Sequence, residues 1–222
     1  MFEKNTFSFL DDLSKNNDRA WFEENKERYE KYWLLPAQAF VNAWAEKLSS
    51  LHPPHKAEAR INGSIRRIHR DTRFSKDKRP YDSRLHLVFW CGGHPQRSPA
   101  IHLVIYPDRV VFGAGQWSMT PAEKENYYNA VLATPSGPAL EDIVKELGKS
   151  GYRLQDETLK RIPRGYPADS PRAQFLKRKG LVLTTSGTPF GAEVLEDNAW
   201  LYGQYQTLSK LNGWIMQATD PG

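Results

Sequence analysis

Over the first fifty positions the apolar residues return at intervals of three and four. Phe7, Leu10 and Leu13 fall on one helical stripe, which stops at Asn16-Asn17, a C-cap signal. Asp18 is placed to cap a second helix, in which Trp21, Phe22, Tyr29, Tyr32 and Trp33 build an aromatic stripe. Pro36 breaks or kinks that pattern, and Phe40, Val41, Trp44 and Leu48 resume it as far as Ser49. From Gly63 the period shortens to two. "SIRRIHRD", "RLHLVFW", "AIHLVIY" and "RVVFGAG" are short and rich in β-branched or aromatic residues, and "KDKRPY", "GGHPQRSP" and "PD" separate them. That pattern predicts three or four antiparallel strands in a meander.

Downstream, Thr120-Pro-Ala-Glu123 is a capping box with proline at the first helical position, opening a helix to Ala133. "GPALEDIVKELGKSG" reads as a second helix, ended at Gly148 or Gly151, and "PRAQFLKRKG" as a short one ended by Gly180. "LVLTTS" reads as a further strand. Val194, Leu195, Trp200, Leu201, Tyr205, Leu208, Leu211 and Ile215 mark a terminal amphipathic helix, in one piece or two. The fold expected is α+β, a central antiparallel β-meander of about four strands flanked by N-terminal and C-terminal helices.

The chain of 222 residues, 39% of them hydrophobic, is long enough for one sizeable core, so residues 1–222 are expected to form a single domain. Cys91 is the only cysteine, which rules out an intrachain disulfide and fits a reducing compartment. The start of the chain is acidic at Glu3, Asp11 and Asp12, unlike a secretory leader, and no stretch approaches the ~20 apolar residues of a membrane span. A cytoplasmic protein without a membrane partner is expected.

Charge changes the picture most. The net charge is +5, but it is unevenly spread. Nine Arg and Lys face three Asp between Arg60 and Arg84, and seven face Asp169 alone between Lys160 and Lys179. Two segments of net +6 in a chain of net +5 leave the remainder at −7. In the first segment, "SIRRIHRDTRFSKDKRPYDSRLH", an extended backbone would set Arg66, Ile68 and Arg70 on one face and Arg67, His69 and Asp71 on the other. Guanidinium forks match carboxylate and phosphate geometry. Arg67, Arg70, Arg73 and Lys78 are therefore the candidate anion donors, with Asp71 and Asp77 to orient them and Phe74, Ser75 and Tyr81 to line the site. "LKRIPRGYPADSP" adds Arg164 as a donor and Tyr166 as a lining ring. Equally, pairs such as Arg70 with Asp77 would tie the loop down with the lysines left to solvent. If the two segments converge, an anionic ligand accounts for them; on opposite sides, internal pairing does.

Other chemistry has weaker signals. His86 and His102 fall at matching places on adjacent expected strands and would pair on one sheet face. No H-E-x-x-H, C-x-x-C or nucleophile-elbow pattern occurs, so neither a metal nor another cofactor is expected. Cys91, beside Trp90, reads as a strand-end packing residue, and "GAGQW" as a bend after a strand.

"FLDDLSKNNDRAWFEENKERYEKYWLLPAQAFV", "RIHRDTRFSKDKRPY", "GAGQW" and "LKRIPRGYPADSP" resemble, in that order, the blocks of an uncharacterised family of bacteria and fungi, domain of unknown function 2461. The resemblance runs from Phe9 to Leu181 and implies one integral domain. It singles out Arg67, Arg70, Asp71, Arg73, Phe74, Ser75, Asp77, Lys78, Pro80 and Tyr81, with Arg161, Pro163, Arg164, Gly165 and Tyr166 in the later block. It supplies no catalytic residue, and Asp82 stands where the family usually has a basic residue.

Three readings follow from the sequence. The first is a protein that binds a phosphorylated or carboxylated small molecule in an Arg-rich pocket, with phosphoester processing as the chemistry such a pocket would suit. The alternatives are a nucleic-acid-binding module, and a non-enzymatic partner-binding protein whose Arg–Asp network is internal. The residues do not decide whether the protein is an enzyme.

Overall fold

The computed structural model of the protein describes residues 2–185 and 191–220. Helix α1 (Lys4–Lys15) buries Phe9, Leu10 and Leu13 completely, and the Asn16 N–H closes it on the Asp12 carbonyl. The Asp18 carboxylate caps α2 (Arg19–Glu24) by accepting from the Trp21 N–H at 3.0 Å. After the single turn α3 (Lys26–Tyr29) the backbone widens into a π-helical turn, Glu30–Leu34, before α4 (Leu35–Ser49). Pro36 thus does not break the helix. It has no N–H to give to Tyr32, and the helix absorbs this in the wide turn just before it, where the Leu35 N–H reaches back to the Glu30 carbonyl.

The sheet has five antiparallel strands in the order β1-β2-β3-β5-β4. β1 (Leu85–Trp90), β2 (Ala100–Ile105) and β3 (Val110–Gln116) are the expected meander, and β5 (Leu181–Thr185) the expected later strand. β4 (Tyr152–Leu154) adds an edge strand that the pattern missed. Helices α5 (Pro121–Leu132) and α6 (Ser136–Lys149) lie between β3 and β4 in the chain, and α7 (Ala173–Leu176) precedes β5. The capping box at Thr120 is formed, with both reciprocal bonds present. The C-terminal helix is one piece, α8 (Asn198–Thr219), preceded by a 3-10 turn at Ala192–Leu195.

"SIRRIHRD" is not a ladder strand. It meets the chain again through bridges of Ile65 with Leu87 and of His69 with Tyr81. Residues 64–70 and 80–88 are the arms of an irregular antiparallel hairpin, bonded at Arg66 N to His86 O, Val88 N to Ser64 O, Arg70 N to Pro80 O and Asp82 N to Ile68 O. Between the two bonded stretches one arm has Arg67 alone, while the other has Ser83, Arg84 and Leu85. The surplus bulges the second arm and interrupts the ladder. The arginine-rich loop, residues 71–79, is the tip of this hairpin.

Helices cover one face of the sheet. α4 packs on β1, α8 crosses β2 and β3, and α5 and α6 pack on α8. At the centre the Tyr205 ring lies 5.8 Å from Phe89 and 5.1 Å from Trp44. On the other face Val88, Trp90 and Ala100 form a separate buried island. Loop 91–99 covers it, held by the Arg66 guanidinium donating to the Pro95 carbonyl at 3.0 Å and the Gln116 amide to the Arg97 carbonyl at 2.8 Å. Cys91 is buried there and its thiol donates to the Pro99 carbonyl at 3.3 Å, with burial pushing its pKa up to about 12, so it packs and does not react.

The "GAGQW" bend has a steric cause. Gly115 holds φ at +131° with its α-carbon against β5, and a Cβ there would collide with the Leu181 carbonyl. Gly115→Ala is expected to cost about 3 kcal/mol or more, from left-handed strain plus loss of the β3–β5 register. Urea unfolding of the variant beside the parent measures it; an unchanged midpoint would refute this account of the bend.

Candidate functional site

The hairpin's base is clamped to the helices. Asn17, read from sequence as part of a cap, instead reaches across to the second arm. Its amide donates to the Tyr81 carbonyl and its side-chain oxygen accepts from the Tyr81 N–H, both at 3.0 Å. The Tyr81 ring stacks on Phe22 of α2 with centroids 4.1 Å apart, and His69 meets its edge. Tyr81 is thereby held at backbone and ring together, and it fixes where the arginine loop leaves the core.

The loop and the arm that follows it carry one motif three times. Asp71-Thr-Arg73, Asp77-Lys-Arg79 and Asp82-Ser-Arg84 each place a carboxylate two residues before an arginine, which in extended backbone puts both on one side. All three pair. Arg73 chelates Asp71 through Nε and Nη2 at 3.0 and 2.7 Å, Arg79 Nη2 lies 2.8 Å from Asp77, and Arg84 Nε lies 3.0 Å from Asp82. Asp77 takes a second guanidinium, with Arg70 Nη1 donating at 2.9 Å. The Arg79 side chain and N–H foremost, then Arg70, hold the Asp77 carboxyl well below the usual carboxylate range. Arg73 does the same for Asp71, whose pKa falls to about 2. Both aspartates are anions at neutral pH and neither can act as a general acid.

Arg70, Asp77, Arg79, Tyr81, Asp82, Ser83, Arg84 and Tyr106 line a cleft of about 250 Å3 beneath this network. Arg84 Nη1 donates to the Tyr106 hydroxyl at 3.2 Å, and the Arg109 guanidinium lies 4.1 Å from the centre of the same ring. The arginines are not used up by their aspartates. Arg70 sends both of its bonds, to Asp77 and to the Arg79 carbonyl, through Nη1 alone. Arg79 binds through Nε and Nη2, and Arg84 through Nε and Nη1. Among the described residues each of the three guanidinium groups therefore keeps an N–H edge with no protein acceptor.

The other expected site residues lie elsewhere. Arg67 is exposed, Lys78 donates to the Thr72 carbonyl at 2.9 Å, and the Ser75 N–H bonds back to the same carbonyl. Phe74 stands 96% exposed at the hairpin tip, with the Arg73 guanidinium 5.8 Å from its ring. Arg164 and Tyr166 do not join the first segment. Tyr166 packs edge-on against Tyr128 of α5, at 5.0 Å, in a different cleft. The first segment adjoins β1 and the second runs straight into β5, and these strands stand three positions apart in the sheet. One pocket lined by both segments is not formed. Arg79, Asp82, Arg84 and Tyr106 were missed as cleft residues, although the threefold Asp-x-Arg spacing was there to be read.

His86 and His102 pair as their strand positions suggest, with Nε2 and Nδ1 2.9 Å apart on the helix-free face. Burial, followed by the Arg66 charge, pulls His102 down to about 4, and burial, His102, Arg66 and Arg84 depress His86. His55, buried between the Pro53 carbonyl at 2.7 Å and the Asn212 amide at 2.9 Å, is also pulled down to about 4 by burial. No group of three or more His, Cys, Asp or Glu that could hold a metal ion is gathered among the described residues, and no helix there is long and apolar enough to cross a membrane.

An uncharacterised α+β protein with an arginine-rich hairpin at one sheet edge is the class that fold and site define. The family model described as conserved hypothetical protein (DUF2461) matches residues 5–212, and the chain belongs to that family. The match takes in the hairpin, the Gly115 bend and the second basic segment alike. No curated protein matches the sequence.

Two outcomes test this geometry. Asn17→Ala removes two bonds to one backbone residue and is expected to cost about 2 kcal/mol in urea unfolding; a neutral result would dissociate the clamp from stability. The second concerns pH. His55, His86 and His102 stay neutral in the fold but take up protons near pH ~6.5 when unfolded. Their contribution is complete above that pH and is lost as the pH falls toward 4. Urea midpoints are expected to drop between pH 6.5 and 4, less steeply in His102→Gln; a flat profile would mean the imidazoles are not buried neutral.

Proposed function

We propose that the protein binds a phosphorylated or carboxylated small molecule in the cleft between Arg70, Arg79 and Arg84. The observation that carries this reading is that three arginines line one cleft, each keeping N–H groups without a protein acceptor while its other atoms are held by Asp77 or Asp82. At about 250 Å3 the cleft suits an anionic head group and falls short of the ~300–1,000 Å3 of drug-sized sites. Fixed cations facing developing negative charge would also suit phosphoester chemistry. Arg67, Arg73 and Lys78 contribute positive potential from the loop above it, and Tyr81 and Tyr106 form the walls.

The nucleic-acid alternative draws on one observation, the exposed Phe74 ring beside Arg73 and Lys76, an arrangement that stacks on bases in single-strand readers. Salt separates the two. A track along several phosphates gives a steep dependence on salt, a pocket for one group a shallow one.

Thermal shift in low salt with inorganic phosphate, pyrophosphate, citrate and a short oligonucleotide tests both. A small anion at about a hundredfold its Kd is expected to raise Tm by about 5 °C or more. The shift is expected to vanish in Arg84→Gln and Arg79→Gln. An equal shift in both variants, or none with any anion, sinks the pocket. Stabilisation by the oligonucleotide alone, erased by salt and lost in Phe74→Ala, favours the alternative.

A further inference from the structure

The second basic segment builds a cleft that the arginine site leaves out of account. It is about 340 Å3 in volume and is lined by Pro121, Lys124, Glu125, Tyr128, Leu159, Pro163, Tyr166 and Lys179. Its construction explains the unusual residues of "IPRGYP". The Tyr166 N–H bonds to the Pro163 carbonyl at 3.3 Å across a turn in which Gly165 takes φ +95°. A positive φ at the third position is what a type II turn requires and glycine supplies. The turn throws Arg164 outward and folds Tyr166 back onto Tyr128, rings 5.0 Å apart and nearly perpendicular. Tyr128 is itself pinned, its hydroxyl donating to the Arg178 carbonyl at 2.9 Å. The opposite lip is the start of α5, with Pro121 at its first position and Lys124 one turn on. Residues 158 and 159 close the floor through bonds of both N–H groups to the Lys177 carbonyl.

The result is a slot with ring and proline walls and ammonium groups at its rim. The cations around it divide by partner. Arg172 is paired with Glu141, Lys177 with Glu157, and Arg178 is spent on the Gln155 and Gln174 carbonyls. Lys160, Arg161, Arg164 and Lys179 are exposed and no carboxylate pairs with them among the described residues; Glu125 is the one acid in the lining. Apolar walls with a few convergent polar groups are the ordinary make-up of a small-molecule site. The positive rim selects the charge of the guest, and the half-buried Tyr166 ring, backed by Tyr128, selects its shape.

We infer that this cleft is a second, separate ligand site, which takes a planar ring bearing an anionic group, with the ring against Tyr166, Tyr128 and Pro163 and the anion toward Lys124 and Lys179. An aryl carboxylate and a nucleoside monophosphate share that chemistry. The site stands independently of the arginine cleft, whose lining is mostly charged and polar although Tyr81 and Tyr106 belong to it.

Saturation-transfer NMR and calorimetry on the full chain test it with three probes: 2-naphthoate, adenosine 5′-monophosphate and inorganic phosphate as the ringless control. At least one ring-bearing probe is expected to bind. Tyr166→Ala is expected to weaken that probe about tenfold or more, the scale of one lost aromatic stack. Lys124→Gln lies on the surface of α5, where it does not threaten folding, and is expected to weaken it about fivefold. Arg79→Gln is expected to leave it unchanged. Whichever ring probe responds identifies the source of the ligand. Binding of neither ring probe overturns the inference, as does binding that Tyr166→Ala and Lys124→Gln both spare. A ring probe lost only in Arg79→Gln also overturns it and assigns that ligand to the arginine cleft, so the two sites fail separately.

Discussion

Because the helices cover only one face of this five-stranded sheet, the other has to be protected by what the strands and their loops bring along. Alternation along β1 sends Leu85, Leu87 and Phe89 toward the helices and Val88 and Trp90 the other way. The second set is buried all the same. A hairpin arm extends the β1 edge, loop 91–99 folds over the island, and the Arg66 side chain ties the two together at Pro95. His86 and His102 fill the row next to that island by bonding each other. They are held toward the neutral form because a proton on either would lie in a half-buried site beside Arg66. The hairpin therefore answers a structural need before it answers any functional one, and its anchorage on Asn17 and Phe22 belongs to that need.

Once the hairpin is in place, its charges are constrained by geometry. A tip with this many cations would splay if they were unpaired. Two Asp-x-Arg pairs at the tip and a third on the second arm offset part of that charge, each over a short range. Exposed pairs of this kind are individually worth at most about 1 kcal/mol. Their effect is therefore orientation more than stability. Each aspartate fixes one edge of a planar fork and so aims the remaining edge. Arg70, Arg79 and Arg84, each with an edge left over, line one cleft, whereas Arg73 is exposed. Pairing and binding are thus not rivals in this loop, because the carboxylates that would satisfy a structural account also preorganise the donors that a ligand would need.

Much of the fold was legible because it rests on periods that local sequence carries. The meander, the capping box at Thr120 and the apolar stripe of α8 all follow from spacing over five or more residues. β4 did not, since three residues after a left-handed Gly151 hold too few alternations to register. The hairpin arm had the composition of a strand but lost its ladder to a bulge set by Ser83–Leu85, far along the chain. Asn17 looked like a cap because a cap and a 64-residue reach use the same amide. At the site, Arg70 with Asp77 was an expected pair and is found, while Arg84 and Tyr106 entered through strand register between β1 and β2. What the sequence could not express was which basic residues would be neighbours, since that depends on strand order and not on charge runs.

Strand order also settles how far the two basic segments influence each other. β1 and β5 are three steps apart, roughly 14 Å at the usual strand spacing. Across that distance in water two unit charges repel by only about 0.3 kcal/mol. The separation also exceeds the ~8 Å screening length at physiological salt. No shared counter-ion is needed to hold the segments in one molecule. Part of the charge of each is offset locally, by Asp71, Asp77 and Asp82 in one and by Glu141 and Glu157 in the other. Arg70, Arg79 and Arg84 of the first segment line one cleft and Lys179 of the second lines the other, while the remaining unpaired cations, Arg67 and Arg164 among them, are exposed. Charge alone would make these clefts equivalent; under the two binding proposals the difference in their walls would have them select different molecules, and the screened distance would let each bind without regard to the other.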